Sequence, residues 1–391
     1  MTSFALDNIG LLITNDPALG EGPLGKRDGA AVVFEDGVVS AVEDAGVAVD
    51  ERVDVGGRCV MPGFVDSHTH LVFAGDRAAE FAARMAGESY AAGGIRVTAE
   101  ATRATDASEL ERLTRARREE GLRAGITHVE IKSGYGLEVA AEAKSCDVAA
   151  RFTDDVTFLG AHVVPAEYES DPDAYVALVC GEMLVACAPF CLWIDVFCER
   201  GAFDADQSRA VLEAGKAAGL AARVHGNQLG PGDGVQLAVE MGAASVDHCT
   251  YLSDADVEAL AASETVATFL PATDFSTRRP YPSARRVIDA GATVALATNT
   301  NPGSSNTTSM AFCIALAVRD MGMTVDEAVQ AATLGGAISL RRSDVGRLAI
   351  GARADAIVLD AASPIDFVYR PGVPIVRETY VGGRRAAPAT S

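Results

Sequence analysis

The sequence predicts an α/β protein whose centre is a TIM-like (β/α)8 barrel. About eight apolar runs end in polar residues and alternate with amphipathic helical stretches, which is typical of parallel strands joined by helices. The one Gly-x-Gly-x-x-Gly match, at residues 20–25, contains Pro23 and precedes no helical stretch, so it does not indicate the turn of a doubly wound nucleotide-binding sheet. Its 391 residues are enough for one barrel with additions at the ends.

The candidate barrel strands are spaced along residues 61–343, which we take as the barrel domain. They lie near 61–66, 125–131, 156–160, 193–197, 221–224, 244–247, 265–270 and 293–298. Helices are expected at 109–124, 203–220, 253–262, 309–320 and 324–334. The last of these begins with a capping-box pattern formed by Thr324 and Glu327.

Both ends of the chain, residues 1–60 and 344–391, are rich in β-forming residues and turn signals. Short strands are expected at 3–14, 30–34, 38–42, 346–350, 354–359 and 374–381. The pattern allows two arrangements. The ends meet in one small composite β-sandwich, or they form two separate caps.

The acidic composition limits what the protein binds. There are 33 Lys+Arg against 54 Asp+Glu, a formal net charge of -21, which argues against nucleic acid or an anionic membrane surface as a partner. No basic N-terminal region precedes an apolar stretch, and no run of 18 apolar residues occurs, so neither export nor a membrane span is expected. The eight cysteines form no Cys-x-x-Cys pair and are expected to be reduced thiols. These features predict a cytoplasmic protein.

Polar residues are concentrated where the first barrel strand ends. An apolar run leads through Pro62 and Gly63 and then breaks into Asp-Ser-His-Thr-His at residues 66–70. Side chains of a strand alternate between its faces, so His68 and His70 would point the same way and reach one metal ion. The alternative is a His-x-His in a surface loop.

Three of the remaining histidines also lie at strand tips. His162, His225 and His248 follow the third, fifth and sixth candidate strands. His128 lies early in its strand, where we expect a structural role. Because the carboxyl ends of barrel strands form one rim around the active site, five of the six histidines are predicted to meet there.

The stretch 62–70 resembles the first-strand signature of the amidohydrolase superfamily, and 71–77 resembles its imidazolonepropionase family. Similarity recurs over nearly the whole chain, at 132–136, 158–162, 195–199 and 301–305. The resemblance implies a barrel with a single composite β-sandwich domain. It also implies a homodimer that hydrolyses the cyclic amide of 4-imidazolone-5-propanoate to N-formimidoyl-L-glutamate in histidine degradation.

The same resemblance assigns His68, His70 and His225 as ligands of one zinc or iron ion, metals that imidazole nitrogens suit. Relatives with two metals carry a carbamylated lysine at the end of the fourth strand, and residues 193–199 contain no lysine. We therefore expect one metal. Lys132 is expected to pair with a carboxylate or to orient a loop.

Asn299 departs from the family pattern, because the superfamily usually has aspartate after the eighth strand. An asparagine can offer its carbonyl oxygen weakly to a metal, but it cannot act as a base near neutral pH. Three outcomes are open: a natural variant in which His248 is the base, a crippled relative, or a chain altered at this position. The first leaves Asn299 as a metal-site residue and His248 as the proton carrier.

Polar loop residues are expected to bind the substrate. By the resemblance they are Arg77, Tyr135, His162, Gln228, Asn301, Gly303 and Ser304. The guanidinium of Arg77 would take the substrate carboxylate through two parallel hydrogen bonds, and the alternative is a surface ion pair with Asp76 or Glu80. The loop from Asn301 to Ser304 would present backbone N–H groups and short side chains.

The expected reaction is hydrolytic ring opening, in which a metal activates water and polarises the ring carbonyl. Glu199, at the tip of the fourth strand, is a candidate partner of the site residues without a catalytic role. Two other functions stay open. One is a nucleobase-type deaminase that uses much the same histidines, and the other is an inactive binding form caused by Asn299.

Overall fold

The computed structural model describes residues 3–87 and 94–387 of the chain. Residues 1–2 and 388–391 of the predicted β-rich ends lie outside the described residues. The chain divides into two compact units, which we call the terminal unit and the barrel unit. The terminal unit comprises residues 1–67, 119–128 and 309–391, and the barrel unit comprises residues 68–118 and 129–308. The predicted domain boundaries after residues 60 and 343 stay a prediction.

Strands alternate with helices through the middle of the chain. In chain order the strands are β1 (Phe4–Ile13), β2 (Lys26–Glu35), β3 (Val38–Asp44), β4 (Glu51–Asp54), β5 (Cys59–Pro62), β6 (Phe64–Asp66), β7 (Ile126–Val129), β8 (Ile131–Lys132), β9 (Val156–Ala161), β10 (Trp193–Cys198), β11 (Ala221–Gly226), β12 (Ser245–His248), β13 (Val266–Phe269), β14 (Val294–Leu296), β15 (Ala356–Leu359), β16 (Val376–Val381) and β17 (Arg384–Ala387). All eight candidate barrel strands are confirmed, the second of them as the short pair β7 and β8.

The helices follow the same alternation. They are α1 (Ala78–Met85), α2 (Ile95–Ala104), α3 (Ala107–Arg123), α4 (Val139–Ala150), α5 (Pro172–Leu178), α6 (Leu184–Cys187), α7 (Ala205–Ala217), α8 (Gly234–Glu240), α9 (Asp254–Ala261), α10 (Pro271–Thr277), α11 (Ala284–Asp289), α12 (Met310–Asp320), α13 (Val325–Gln330), α14 (Gly336–Ser339) and α15 (Asp366–Tyr369). The predicted helices correspond to α3, α7, α9, α12 and α13. The predicted capping box is confirmed, because Thr324 and Glu327 exchange side-chain-to-backbone hydrogen bonds at the start of α13.

The barrel unit is organised by one parallel sheet with the strand order β8-β9-β10-β11-β12-β13-β14. Residues 68–69 lie between its two edges. The carbonyl of His68 accepts from Asn299 N, just after β14, at 3.0 Å, and the carbonyl of Thr69 accepts from Lys132 N in β8 at 2.8 Å. The sheet therefore closes on itself, as a (β/α)8 barrel requires, and the carboxyl ends of its strands face a common centre.

The terminal unit is organised by a second sheet, built from both ends of the chain. Its order is β17-β16-β15-β5-β1-β2-β3, with β4 paired to β1. The junction between the two ends is the antiparallel pair of β15 and β5, in which Ile357 lies opposite Met61. Buried side chains from both ends pack in one core that includes Leu6, Val60 and Val358. The single composite domain is confirmed over two separate caps.

The predicted strand at 346–350 is wrong. Gly346 has a φ of +71°, and a Cβ there would lie 2.6 Å from the carbonyl oxygen of Thr333, so the chain turns where a strand would need to continue. Leu348 is buried, and its N–H donates to Thr14 O at 2.8 Å outside any strand. The apolar pattern of residues 346–350 thus predicts the burial of Leu348 correctly, but it predicts the wrong backbone conformation. Strands β4 and β17 are missed, because charged residues dominate both.

One helical stretch of the described chain, Pro172–Phe190, is long and apolar enough by length and composition to cross a membrane. Core helices of soluble proteins pass the same test. In this stretch the Tyr175 side chain is buried, and its hydroxyl donates to Gly160 O at 2.8 Å. The predicted absence of a membrane span stays a prediction.

Replacement of Val358 by alanine tests the composite sheet. Val358 is 1% exposed, so its truncation is expected to lower the free energy of unfolding by roughly 2 kcal/mol through lost burial and a residual cavity. The measurement is the midpoint of urea unfolding followed by circular dichroism. Val373→Ala is the matched control, because Val373 is 43% exposed and should change the midpoint little. Equal shifts for both variants would contradict the packing described here.

Candidate active site

His68, His70 and His225 lie together at the carboxyl rim of the barrel unit. Their potential ligand nitrogens all lie within 4.8 Å of one another. The ring centroids of His68 and His225 are 4.5 Å apart, and that of His70 is 5.3 Å from His68. All three side chains are buried, so the His-x-His pair does not lie in a surface loop. The structure brings the three predicted metal ligands into one place.

Two buried carboxylates hold these imidazoles from behind. His68 Nδ1 lies 2.7 Å from Asp247 Oδ2, and His225 Nδ1 lies 3.0 Å from Asp195 Oδ2. The hydrogen bond to Asp247 fixes the tautomer and the ring orientation of His68, whereas the contact of His225 with Asp195 is a close approach without hydrogen-bond geometry. They leave Nε2 of His68 and Nε2 of His225 available, and neither atom has a hydrogen-bond partner in the described chain.

The donor set fits a transition-metal ion. Within residues 3–87 and 94–387, Nδ1 of His70 also has no hydrogen-bond partner. Three buried imidazole nitrogens left without hydrogen bonds are costly unless a ligand from outside the chain uses them. Nitrogen donors of this number suit zinc or iron(II) and leave positions open for water and substrate.

The protonation state of the histidines agrees with this fit. Burial lowers the pKa of His68 and of His70 well below the ordinary value, and nearby cationic groups lower both further. The two imidazoles are therefore neutral near pH 7, which is the form that binds a metal.

A fully buried ammonium ties the supporting carboxylates together. Lys132 Nζ lies 2.8 Å from Asp195 Oδ2, 2.9 Å from Glu130 Oε1 and 3.7 Å from Asp247 Oδ2. Burial by itself would raise the pKa of Asp195 and Asp247, but cationic neighbours outweigh it and hold both pKa values below the usual range. Both carboxylates stay ionised and can accept from the histidines. The prediction that Lys132 pairs with a carboxylate is confirmed.

Sequence reasoning misses Glu130, Asp195 and Asp247. A signal for them exists, because each is a carboxylate that lies within a fully buried stretch and next to an apolar residue. A charge in such a place is retained only when it is paired. What the sequence does not reveal is which cation pairs with each, since the partners come from different strands.

His248 and Asn299 share an unusual backbone conformation at the rim. Their φ angles are +86° and +52°, and Cys249 next to His248 has +53°. Left-handed backbone in non-glycine residues is costly and clusters at active sites. The His248 ring centroid lies 5.4 Å from that of His225, and burial lowers the pKa of His248 well below its ordinary value. Its neutral imidazole is able to accept a proton.

The Asn299 side chain is held by one end only. Its Nδ2 donates to Thr273 Oγ1 at 2.9 Å, while its buried Oδ1 has no hydrogen-bond partner among the residues described. Asn299 lines the same cavity as the histidines. The free oxygen of the amide is thus the atom available to a metal or a substrate.

Most of the predicted substrate residues line this one cavity. Its lining residues are His70, Arg77, Ile95, Tyr135, His162, Phe197, His225, Gln228, His248, Asn299, Asn301 and Ser304. Gly303 is the predicted residue absent from this lining. Ile95 and Phe197 are apolar walls that sequence reasoning misses, because an apolar residue at a rim looks like any core residue.

Arg77 is buried and already paired. Its Nε and Nη2 each donate to the Glu80 carboxylate at 2.7 Å, so the ion pair weighed from the sequence exists, but below the surface and beside the cavity. Asp76 does not take part in this pair and instead accepts from Ala78 N at 2.8 Å. A Cβ on Gly303 would lie 2.1 Å from Arg77 Nη1, so glycine is needed for the guanidinium to fit.

The loop from Asn301 to Ser304 differs from expectation. The backbone N–H groups of Gly303 and Ser304 donate to Asn301 Oδ1 at 2.9 and 2.8 Å, so they are not presented to a substrate. A short polar side chain that accepts from the next backbone N–H groups folds its own loop in this way. The expectation of free N–H donors is wrong, and the loop instead provides side chains and a surface for Arg77.

Tyr135 and His162 face the metal-site histidines. Their ring centroids are 5.4 Å apart, and His162 stacks on His70 at 5.3 Å. His162 Nδ1 lies 2.9 Å from Gly134 O, so it carries the hydrogen and leaves Nε2 as an acceptor. Burial, then the neighbouring His225, lowers the pKa of His162 to about 3, which keeps the ring neutral.

Two other residues take supporting places. The Glu199 carboxylate accepts from the backbone N–H groups of Arg200 and Leu229, each at 2.9 Å, and so holds the loop after β11. His128 is buried in the terminal unit, where its Nδ1 lies 3.5 Å from Arg353 Nη2. Its predicted structural role agrees with this position.

Comparison with known proteins gives full-length relatives. Residues 200–386 match the amidohydrolase family model. The chain is 62% identical over 387 residues to the imidazolonepropionase of Salinispora arenicola, with 98% of each chain covered. It is 63% identical over 379 residues to that of Mycolicibacterium smegmatis, with 96% of each chain covered.

Solved structures show the same fold at low identity. A mutant atrazine chlorohydrolase from Arthrobacter aurescens, complexed with zinc and atraton, superposes with a TM-score of 0.74 at 18% identity, covering 99% of this chain and 95% of that chain. An adenosine deaminase from Xanthomonas campestris with bound zinc gives 0.74 at 17% identity, covering 99% of this chain and 93% of that chain. These similarities confirm the TIM-like barrel with an added sheet domain.

Removal of one imidazole tests the metal site. His225→Ala is expected to lose tight zinc binding, because it takes away a central nitrogen donor and leaves Asp195 without its imidazole partner. Zinc content after dialysis, measured by elemental analysis, is the readout. His128→Ala is the control and should retain the metal. Full zinc retention by His225→Ala would contradict the site.

Proposed function

The chain belongs to the imidazolonepropionase family of the amidohydrolases, and from this we infer that it hydrolyses 4-imidazolone-5-propanoate to N-formimidoyl-L-glutamate in histidine degradation. The observation that carries this inference is identity of about 60% to imidazolonepropionases over nearly the full length of both chains. The enzyme is a hydrolase that acts on the C–N bond of a cyclic amide, and its substrate is a small molecule.

We propose that His68, His70 and His225 hold one zinc or iron ion. The unpaired ring nitrogens and the two supporting carboxylates favour this set. Oδ1 of Asn299 is a weak further donor at the same cavity. When bound, such an ion lowers the pKa of water towards ~7 and polarises a carbonyl oxygen.

His248 is the residue that we propose moves the proton. Asn299 has no basic atom near neutral pH, whereas His248 has a ring nitrogen, Nδ1, without a hydrogen-bond partner in the described part of the chain. Water adds to the ring carbonyl carbon, the C–N bond to the ring nitrogen breaks, and His248 transfers the proton from the attacking water to that nitrogen. The former carbonyl carbon becomes a carboxylate, so the atoms of substrate and water balance those of the product.

The remaining cavity residues are proposed to orient the substrate. Arg77 binds its carboxylate tail, because the cavity places a buried cation at one side. Tyr135, His162 and Gln228 contact the ring, with His162 Nε2 as an acceptor. Asn301, Gly303 and Ser304 form the loop that closes the side next to Arg77. A cytoplasmic homodimer without nucleic-acid or membrane partners completes the proposal.

A turnover assay with three variants tests the proton carrier. His248→Asn is expected to lower kcat by about 100-fold or more, because positioned acid–base catalysis contributes on this scale. Asn299→Asp should remain within about tenfold of the unchanged chain if His248 carries the proton. His128→Asn is the control. No turnover by the unchanged chain, with strong turnover by Asn299→Asp, would identify an inactive form, and turnover of cytosine or guanine instead would identify a deaminase.

Arg77→Met tests recognition of the carboxylate. Loss of a charge-assisted pair is expected to raise KM for 4-imidazolone-5-propanoate by about 10- to 100-fold. For a substrate analogue with a neutral amide in place of the carboxylate, the KM values of the unchanged chain and of Arg77→Met should differ much less. Arg112→Met serves as the control, because Arg112 forms an exposed pair with Glu109 on α3. An unchanged KM for Arg77→Met would contradict the proposal that Arg77 binds the substrate carboxylate.

A further inference from the structure

The loop that carries Tyr135 has a backbone that does not form by itself. Gly134 has a φ of +108° and Leu137 a φ of +54°, both in the left-handed region. A Cβ on Gly136 would lie 2.4 Å from Glu142 N, so the loop also presses against the start of α4. A conformation of this kind persists only where its surroundings hold it in place.

The N–H side of the loop is held by one carboxylate. Glu142, in the first turn of α4, is fully buried. Its Oε2 accepts from Gly134 N at 2.9 Å, and its Oε1 accepts from Gly136 N at 2.6 Å and from Leu137 N at 2.8 Å. Three hydrogen bonds to one ionised group are stronger than bonds to a neutral acceptor, and they fix the direction of three peptide planes.

The C=O side of the same loop is held by a guanidinium. Arg103, at the end of α2, donates from Nε to Gly136 O at 2.6 Å and from Nη2 to Leu137 O at 3.0 Å. Its third nitrogen pairs with Glu167 at 2.6 Å, which fixes the plane of the group. Glu142 and Arg103 therefore bind opposite sides of the peptide unit between Gly136 and Leu137.

The hydrogen bonds of Glu142 and Arg103 to the loop affect two residues that line the cavity, Tyr135 and His162. Tyr135 lies between the held residues Gly134 and Gly136 and is 2% exposed. The carbonyl of Gly134 accepts from His162 Nδ1, so the position of the loop also sets the tautomer of His162. A displacement of the loop would change both side chains at once.

We propose that Glu142 and Arg103 are positioning residues that clamp residues 134–137 from the N–H and C=O sides and thereby set Tyr135 and His162 for substrate binding. The proposal rests on the proposed function, since it takes these two side chains as substrate contacts. Neither Glu142 nor Arg103 lines the cavity, so both act through the loop.

The clamp gives substrate binding a dependence on pH. Burial, then the nearby Cys146, raises the pKa of Glu142 to about 7. The other titratable or polar groups that interact with it are Ser133, Tyr175, Cys187 and Cys191. Above that pH the carboxylate is ionised and binds the loop strongly, and as pH falls through the pKa it is protonated and the clamp weakens. KM is therefore expected to rise as pH falls from 8 to 6.

The test on the N–H side is Glu142→Gln. It keeps the shape but replaces one acceptor by an NH2 group that faces backbone donors, so KM is expected to rise about tenfold with kcat within about threefold. The KM of this variant should no longer vary between pH 6 and 8. Ser145→Ala is the control on the same helix, because Ser145 is buried but bonds only within α4, to Ala141 O at 2.9 Å. An unchanged KM, or the same pH dependence as the unaltered chain, would overturn the proposal.

The test on the C=O side is Arg103→Met. It is expected to raise KM by a similar factor while the pH dependence set by Glu142 remains. Arg96→Met is the matched control, because Arg96 lies on the same helix and pairs with Glu169 and Val164 O without touching the loop. If Glu142→Gln does not fold, the Arg103→Met variant alone tests the clamp. An unchanged KM for Arg103→Met would then refute it.

Direct variants separate this proposal from the proposed function. If Tyr135→Phe and His162→Gln leave KM unchanged, the assignment of these residues as substrate contacts fails. If they raise KM while Glu142→Gln and Arg103→Met do not, the assignment stands and the clamp is refuted. In the expected case, Glu142→Gln added to Tyr135→Phe raises KM less than the product of the single effects, because both changes remove the same contact.

Discussion

The buried ammonium of Lys132 is the interaction on which the arrangement of the site depends. The Asp247 and Asp195 carboxylates beside His68 and His225 are fully buried in the barrel, and such charges are tolerated only when paired. Lys132 is within 2.8 Å of Asp195 and 3.7 Å of Asp247. Together with Arg223, which lies 3.5 Å from Asp247, it keeps both carboxylates ionised, and they in turn direct Nε2 of each imidazole towards one point.

Other residues at the rim are also fixed by neighbouring groups that hydrogen-bond to them or pack against them. Asn301 folds the loop after β14 with its own side chain. Glu80 fixes the plane of Arg77, and Gly303 provides the space that this guanidinium needs. Loop conformations that are unfavourable in isolation are thereby kept ready for a substrate, which lowers the cost of ordering them on binding.

Asn299 shows how a family pattern can change at one position without loss of the surrounding geometry. Its N–H still closes the barrel on His68 O, and its Nδ2 is bound by Thr273, so the free oxygen points to the cavity. Asparagine at this position has the shape of aspartate and an oxygen that can bind a metal weakly, but it lacks a carboxylate that could act as a base. Under the proposed function, proton transfer then falls to the imidazole of His248, which is not among the proposed metal ligands.

Local patterns in the sequence determined the eight strands, five of the helices, the histidines at the strand tips and the β-rich character of both chain ends, because apolar periodicity and strand direction are local properties. That the two ends form one composite domain came from the family resemblance and not from these patterns. The alternation of side chains expected at 62–70 was enough to place His68 and His70 on one side. Only the tertiary structure decided the ion pairs of Lys132, the partner of Arg77 and the occupied N–H groups of the 301–304 loop. Each of these depends on which distant residues come into contact. The sequence shows that a buried charge or a hydrogen-bond donor is present, but it does not show which residue pairs with it.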